Sequence, residues 1–191
     1  MTIPLRRWSL LAFCAGFCAA LCSVARADAP TGPNPFPEGL WTGDTYFSLA
    51  VQPWEREQLY SGVVGMNYYF WSNWSFGLEL KGLEGLQPIE NVTSFGGDFV
   101  LRTHLLVRQN WSIFAEFEPG ILESSNRIPP SGTDFNFTLE TGFGFTRHLW
   151  DRTDLLAGIR YLHLSNARQE GPDRNPSLNA CEGYIGLMFK L

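Results

Sequence analysis

The chain has 191 residues, of which 15% are aromatic and only 17% charged, with a formal net charge of −5 at pH 7. This length fits a single domain, and the lack of a basic patch gives no reason to expect nucleic acid as a partner. After the N-terminal segment there is no run of about 18 apolar residues, as a spanning helix would need. The aromatic-rich composition therefore favours a membrane protein that crosses with β-strands.

The N-terminal segment has the pattern of a secretory signal peptide. Two arginines precede a mostly apolar stretch, and a small-x-small site ends at Ala27, which predicts a signal peptide over residues 1–27. Cleavage there would leave Cys181 as the single cysteine and would change the formal net charge from −5 to about −8. Export without an internal disulfide predicts a bacterial envelope protein that is stabilised by its fold.

The remainder divides into a short tail and one repetitive region. Residues 28–40 are rich in proline and glycine and predict an irregular N-terminal tail. Residues 41–191 contain segments with a period of two, at about 41–51, 59–70, 73–84, 93–107, 110–122, 134–147, 152–165 and 179–191. Short connections follow the second, fourth and sixth segments, and longer ones follow the others. These features predict an all-β protein, an eight-stranded antiparallel transmembrane β-barrel of the outer-membrane type.

The alternation separates two faces. The apolar face should contact lipid, and the other should fill a lumen too narrow for a pore. Charges inside such a lumen must be paired. By this parity the interior collects Asp98, Arg102, His104, Arg108, Glu116, Glu118, Glu140, Arg160, Glu182 and Lys190. The structural alternative is a soluble, lipocalin-like ligand-binding barrel, which would place its large apolar side chains inside and its charges outside.

One histidine and one serine share a face near the end of the seventh segment. Side chains repeat every two residues on a strand, so His163 and Ser165 point to the same side. The termini of an even-stranded barrel lie together at the periplasmic end, so this segment ends at the external rim. Parity with Leu155 to Tyr161 places the pair on the lipid-facing wall. A base beside a hydroxyl is the minimum for nucleophilic acyl transfer; the alternative is a pair of polar residues without function in the interfacial belt.

The other histidines do not suggest a second site. His104 faces the predicted lumen and His148 falls in a predicted periplasmic turn, so both are interpreted as structural. Their spacing does not match a metal site. No phosphate-binding loop, dinucleotide fingerprint or G-x-S-x-G elbow occurs. No cofactor is therefore predicted.

Residues 160–167 (RYLHLSNA) and 175–179 (NPSLN) resemble the PagL-type lipid A deacylases, also called acyloxyacyl hydrolases. Weaker similarity extends over most of the chain after residue 27. The resemblance implies an outer-membrane barrel that hydrolyses the ester-linked acyl chain at the 3-position of lipid A, with a Ser-His-Glu triad on its lipid-facing wall. It assigns Ser165 as nucleophile, His163 as general base and Asn175 to the oxyanion hole, with Asn166 supporting the site.

The chain departs from the family at the acid. The family spacing places Asn179 at the glutamate position, and parity places it on the lipid-facing side, so Asn179 is predicted to orient the histidine. Glu182 has the opposite parity, while Glu170 and Asp173 in the preceding loop are alternatives. Exchanging acid for amide costs about 10⁴ in rate in a serine triad. The hypotheses are therefore a slow lipid A esterase and a catalytically impaired structural barrel; pairing of barrels into a homodimer stays open.

Overall fold

The computed structural model describes residues 32–52, 57–169, 171 and 175–191. The predicted signal peptide and residues 28–31 of the tail lie outside this part. The described residues form eight strands, in which exposed and buried side chains alternate. This alternation is expected because successive side chains of a strand point to opposite faces. The strands are β1 (Trp41–Val51), β2 (Gln58–Trp71), β3 (Trp74–Leu86), β4 (Val92–Val107), β5 (Trp111–Ile128), β6 (Thr133–Trp150), β7 (Thr153–Ser165) and β8 (Leu178–Lys190).

The strands form one closed antiparallel barrel in sequence order. Closure comes from β8, which pairs with β1 from Thr42↔Lys190 to Val51↔Cys181. Closing the sheet satisfies the backbone hydrogen bonds of both edge strands, which lipid could not do. The predicted eight-stranded antiparallel barrel is confirmed. Within the described ranges, no helix has the length and hydropathy of a membrane span.

The two ends of the barrel differ. At the end that holds Trp41 and Lys190 the connections are short, at residues 72–73, 108–110 and 151–152. At the opposite end lies the longest connection, residues 166–177. Short turns mark the periplasmic end of such barrels and longer loops the external end. Strands β5 and β6 extend further outward than predicted, since they are joined only at residues 129–132.

The outer wall is apolar and exposed. Phe47 is 77% exposed, Leu78 67% and Ile159 65%, although all three lie within strands. Large apolar side chains on the outside and charges inside reverse the arrangement of a soluble ligand-binding barrel, so that alternative is wrong. Lipid contact is the environment in which such a wall is favourable.

The middle of the lumen is filled by ion pairs. Eight of the ten predicted interior residues are buried there, from Asp98 to Glu182, and three others join them: Asp44, Glu79 and Lys81. Arg102 Nη1 lies 2.7 Å from Asp44 Oδ2, and Lys81 Nζ lies 2.8 Å from Asp98 Oδ2. Removing one partner of such a buried pair costs about 3–5 kcal/mol. The lumen is thus a packed structural element.

Two predicted interior residues lie instead at the periplasmic mouth. The pairing of β4 with β5 shifts its register between His104 and Leu106, which reverses the alternation and turns Val107 inward. Arg108 therefore follows the strand end half-buried and donates to the carbonyl of Val107 at 3.0 Å. Lys190, partly exposed, keeps its inward parity: it pairs with the buried Asp154 at 2.8 Å and lies over the Phe36 ring. The prediction that Arg108 faces the lumen was wrong, whereas Lys190 faces the interior at its periplasmic mouth.

The N-terminal tail closes the periplasmic end. Its residue Phe36 is 1% exposed and stacks on the His104 ring with centroids 3.7 Å apart. The Phe36 carbonyl accepts a hydrogen bond from Asn73 N at 2.9 Å, and Tyr69 N donates to the carbonyl of Leu40 at 2.9 Å. Residues 32–40 of the tail form no strand or helix, and through Phe36 they plug the periplasmic mouth of the barrel.

An apolar cluster fills the external end of the lumen. It contains Ala50, Leu59, Leu83, Val92, Leu122, Ile128, Leu162, Leu164, Leu178 and Ala180. Four of these residues belong to the ends of β7 and β8 that approach the external rim. Their close packing fixes these two strand ends, so the side chains that alternate with them on the outer wall have a rigid support.

Candidate functional site

The outer face of β7 carries three polar side chains in succession near the external rim. Leu162 and Leu164 point inward and are 3% and 1% exposed. The period of two therefore turns Tyr161, His163 and Ser165 outward, where they are exposed or half-buried. The predicted placement of the histidine and the serine on the outer wall agrees with this geometry.

The structure brings His163 and Asn179 together. They are directly opposite in the antiparallel pairing of β7 and β8, where facing side chains contact each other. His163 Nδ1 lies 2.8 Å from Asn179 Oδ1. Because an amide oxygen only accepts, this bond requires a proton on Nδ1. The remaining nitrogen, Nε2, then has a lone pair available, and it makes no hydrogen bond to any described residue.

Ser165 ends β7 on the same face as His163. Its partner across the strand pair is Phe137 of β6, while Leu139 faces His163. Within the described residues no hydrogen bond joins the serine to the histidine. Such bonds are often long in unliganded enzymes and tighten when substrate binds. The site therefore holds a hydroxyl and a base next to an apolar wall.

Two asparagines bring the loop after β7 back towards the strand end. Asn166 N donates to Asn175 Oδ1 at 3.0 Å, and Arg168 N donates to Asn166 Oδ1 at 2.9 Å. Ala167 and Arg168 adopt positive φ values of 52° and 64°, which tighten the turn. Asn175 Nδ2 makes no hydrogen bond with another described residue, so it is available to donate.

Tyr161 was not among the residues selected from the sequence. Its hydroxyl donates a hydrogen bond to Asn179 Oδ1, the same atom that contacts His163. On the other side, Asn179 Nδ2 lies 3.5 Å from the Ser177 carbonyl oxygen and 3.3 Å from Ser177 Oγ. Parity alone placed the tyrosine on the correct face, but only the strand register shows which side chain it reaches.

No carboxylate takes the place of Asn179 in the described residues. Glu182 points into the lumen, where its Oε2 accepts from Arg160 Nε at 3.2 Å, in agreement with its predicted parity. Glu170 and Asp173 lie outside the described residues. No group of three or more His, Cys, Asp or Glu side chains in the described ranges could hold a metal ion.

The other two histidines lie away from this wall. His104 is buried in the lumen between Tyr69 and Ser112, as its predicted structural role requires. His148 lies within β6 rather than in a turn, and its Nδ1 is 3.1 Å from Asp154 Oδ1. The turn prediction was wrong because β6 continues to Trp150.

Comparison with known proteins agrees with the barrel and gives it a family. The crystal structure of Neisserial surface protein A has a TM-score of 0.59 at 14% identity, covering 80% of this chain and 96% of that one. The outer membrane protein OprG from Pseudomonas aeruginosa has a TM-score of 0.54 at 10% identity, covering 84% of this chain and 99% of that one. These identities show the fold alone.

The search of curated proteins found no match. The family model described as lipid A 3-O-deacylase (PagL) matches residues 45–188. That range includes β2 to β7 completely, most of β1 and β8, and the whole candidate site. The chain therefore belongs to the lipid A 3-O-deacylase (PagL) family, and its barrel resides in the bacterial outer membrane.

Proposed function

We propose that this protein is a serine esterase that removes the ester-linked acyl chain at the 3-position of lipid A. The observation that carries the proposal is the 2.8 Å contact between His163 Nδ1 and Asn179 Oδ1. This contact leaves Nε2 as the basic nitrogen on the face that also carries Ser165. The outer wall near the external rim borders the lipopolysaccharide leaflet, so the substrate can reach the site by lateral diffusion.

The first half of the reaction forms an acyl-enzyme. Ser165 Oγ attacks the ester carbonyl carbon while His163 Nε2 takes the hydroxyl proton. The tetrahedral intermediate then breaks its bond to the lipid A oxygen, which receives that proton from His163. The products of this half are a lipid A hydroxyl and an acyl ester on Ser165.

The second half restores the enzyme. His163 takes a proton from water, whose oxygen attacks the acyl-serine carbonyl. Collapse releases a free fatty acid and returns the proton to Ser165 Oγ. One water is consumed overall, and no cofactor takes part in the proposed steps.

Asn175 is the proposed oxyanion donor. Its Oδ1 is engaged by Asn166 N at 3.0 Å, which fixes the orientation of the amide and leaves Nδ2 to donate. A single donor of this kind lowers the barrier by about 3–4 kcal/mol. Asn166 thereby supports the site by holding the donor.

Asn179 is the proposed orienting group, and it explains why we expect a slow enzyme. Its neutral oxygen holds the useful tautomer of His163 but does not stabilise the imidazolium that forms during attack. The loss relative to a carboxylate is at most about 10⁴ in rate, since that value applies to a triad in which the amide also favours the wrong tautomer. The second candidate function, an inert structural barrel, draws its support from this same residue.

Mass spectrometry of lipid A from cells that produce the protein tests the proposal. The native protein should remove one hydroxyacyl group, and Ser165→Ala should leave lipid A intact. Ser125→Ala is the matched control, since Ser125 is a serine at an outward-facing position of β5 whose Oγ accepts a hydrogen bond from Thr93 N at 3.1 Å. The proposal would be contradicted if lipid A stayed unchanged although the native barrel was inserted in the outer membrane. It would also be contradicted if the Ser165→Ala variant still deacylated lipid A.

A further inference from the structure

The resemblance described above implies a carboxylate at position 179, whereas this chain has an amide, whose oxygen and nitrogen ends differ. A carboxylate presents an acceptor oxygen to His163 in either orientation. An amide does so only when Oδ1 faces the ring, since Nδ2 would donate to Nδ1 and force the proton onto Nε2. In that reversed state His163 could not take a proton from Ser165.

The Ser177 backbone carbonyl selects which end of the amide faces the histidine, and the Tyr161 hydroxyl stabilises that orientation by donating to Oδ1. The Ser177 carbonyl, 3.5 Å from Asn179 Nδ2, can only accept a hydrogen bond and so selects the amide nitrogen on its side. Ser177 Oγ adds a second acceptor for the same nitrogen at 3.3 Å. The Tyr161 hydroxyl donates to Oδ1 on the opposite side, next to His163 Nδ1.

We propose that Tyr161 and Ser177 are positioning residues that hold the Asn179 amide in one orientation and thereby keep His163 in its base-competent tautomer. The inference rests on the proposed esterase function. Neither residue touches the reacting atoms. Tyr161 acts through Asn179, and Ser177 supports it from the side of β8 that joins the loop.

The dependence on an amide makes the inference specific to this chain. If Asn179 were aspartate, both oxygens would accept and no orientation would need to be held. The Tyr161 hydroxyl should therefore matter when position 179 is an amide and matter much less when it is a carboxylate. This coupling between the two positions is what a double-mutant cycle measures.

The experiment compares Tyr161→Phe in the native chain and in Asn179→Asp, with purified barrels in detergent and lipid A as substrate. In the native chain we expect Tyr161→Phe to lower kcat about 10-fold and to leave KM unchanged. A loss of about 10-fold is near the upper end of what the removal of one neutral hydrogen bond causes. In the aspartate background we expect a loss below about 2-fold. Tyr60→Phe is the control, since Tyr60 is an exposed tyrosine whose hydroxyl bonds a side-chain amide oxygen, that of Gln58.

Nitrogen-15 NMR of labelled histidines provides a readout that does not need activity. The native spectrum should show the Nδ1-H tautomer for His163, with the signal assigned by its loss in His163→Gln. In Tyr161→Phe a fraction of the Nε2-H tautomer should appear.

Three outcomes would overturn the inference. These are equal losses in both backgrounds, no loss in the native chain, and a His163 tautomer that does not respond to Tyr161→Phe. Failure of the proposed function has a different signature. There, neither the native chain nor Asn179→Asp deacylates lipid A, and the tautomer measurement still decides the role of Tyr161.

Discussion

Two histidines of this barrel lie beside serines, one in the lumen and one on the outer wall. In the lumen His104 Nδ1 lies 2.8 Å from Ser112 Oγ, and its Nε2 lies 2.8 Å from the Tyr69 hydroxyl. The Phe36 ring covers it. On the wall His163 uses only Nδ1, and no described residue bonds its Nε2.

The histidine and serine in the lumen are hydrogen-bonded to each other, whereas those on the outer wall are not, yet only the outer pair is accessible to a substrate. His104 is 5% exposed and enclosed by Tyr69, Ser112 and Phe36, so a substrate cannot reach it. A general base must lie on a face that the substrate can reach, and His163 lies on such a face. Proximity of a histidine and a serine therefore identifies a site only together with access.

The largest expected effect is a gain of function on the outer wall. Asn179→Asp places a charged oxygen where Oδ1 already lies 2.8 Å from His163 Nδ1. The carboxylate stabilises the imidazolium, so kcat for deacylation should rise by up to about 10⁴-fold. Turnover of lipid A by purified protein measures it, with Asn110→Asp in an exposed periplasmic turn as charge-matched control. An unchanged rate in a folded Asn179→Asp barrel would contradict the assignment.

A loss of stability is expected where the tail seals the inner pair. Phe36→Ala removes a ring that is 1% exposed and packed on His104, which should lower the free energy of unfolding by about 3 kcal/mol. Urea unfolding in detergent measures it. Ile89→Ala, at an 82% exposed position, should change stability by less than about 0.5 kcal/mol. Equal stability of both variants would show that the plug is dispensable.

The smallest expected effect comes from exchanging each histidine for glutamine. A complete triad loses about 10⁶-fold when its histidine is removed, and the amide at position 179 already accounts for about 10⁴. His163→Gln should therefore lose about 10²-fold in activity and keep its stability. His104→Gln should keep its activity and lose about 2 kcal/mol of stability, because the hydroxyls of Tyr69 and Ser112 lose a buried partner. Loss of activity in folded His104→Gln would break the distinction between the two regions.

Alternation in the sequence was enough to predict the barrel and the face on which the candidate site lies. A strand has a fixed period of two, so the parity of His163, Ser165 and Asn179 followed from their numbers once the strands were found. The pairing between strands did not follow, because register depends on packing and turn geometry across the whole sheet. For this reason the link from Tyr161 to Asn179 could not be predicted.

The errors in the lumen have local causes. One register shift in β4 after His104 reversed the parity of Arg108, and no residue type in that stretch signals the shift. The extension of β5 to Ile128 passes through a run of small polar residues that resembles a loop. Phe36 follows two prolines and a glycine, and only the aromatic surface inside the barrel mouth explains its burial.

The candidate site depends on the pairing of two strands. His163 and Ser165 lie on β7, Asn179 lies on β8, and β8 is the strand that pairs with β1 to close the sheet. A chain in which β7 and β8 have not yet paired lacks the contact that holds the histidine. We therefore expect the proposed esterase to become active only once these two strands have paired.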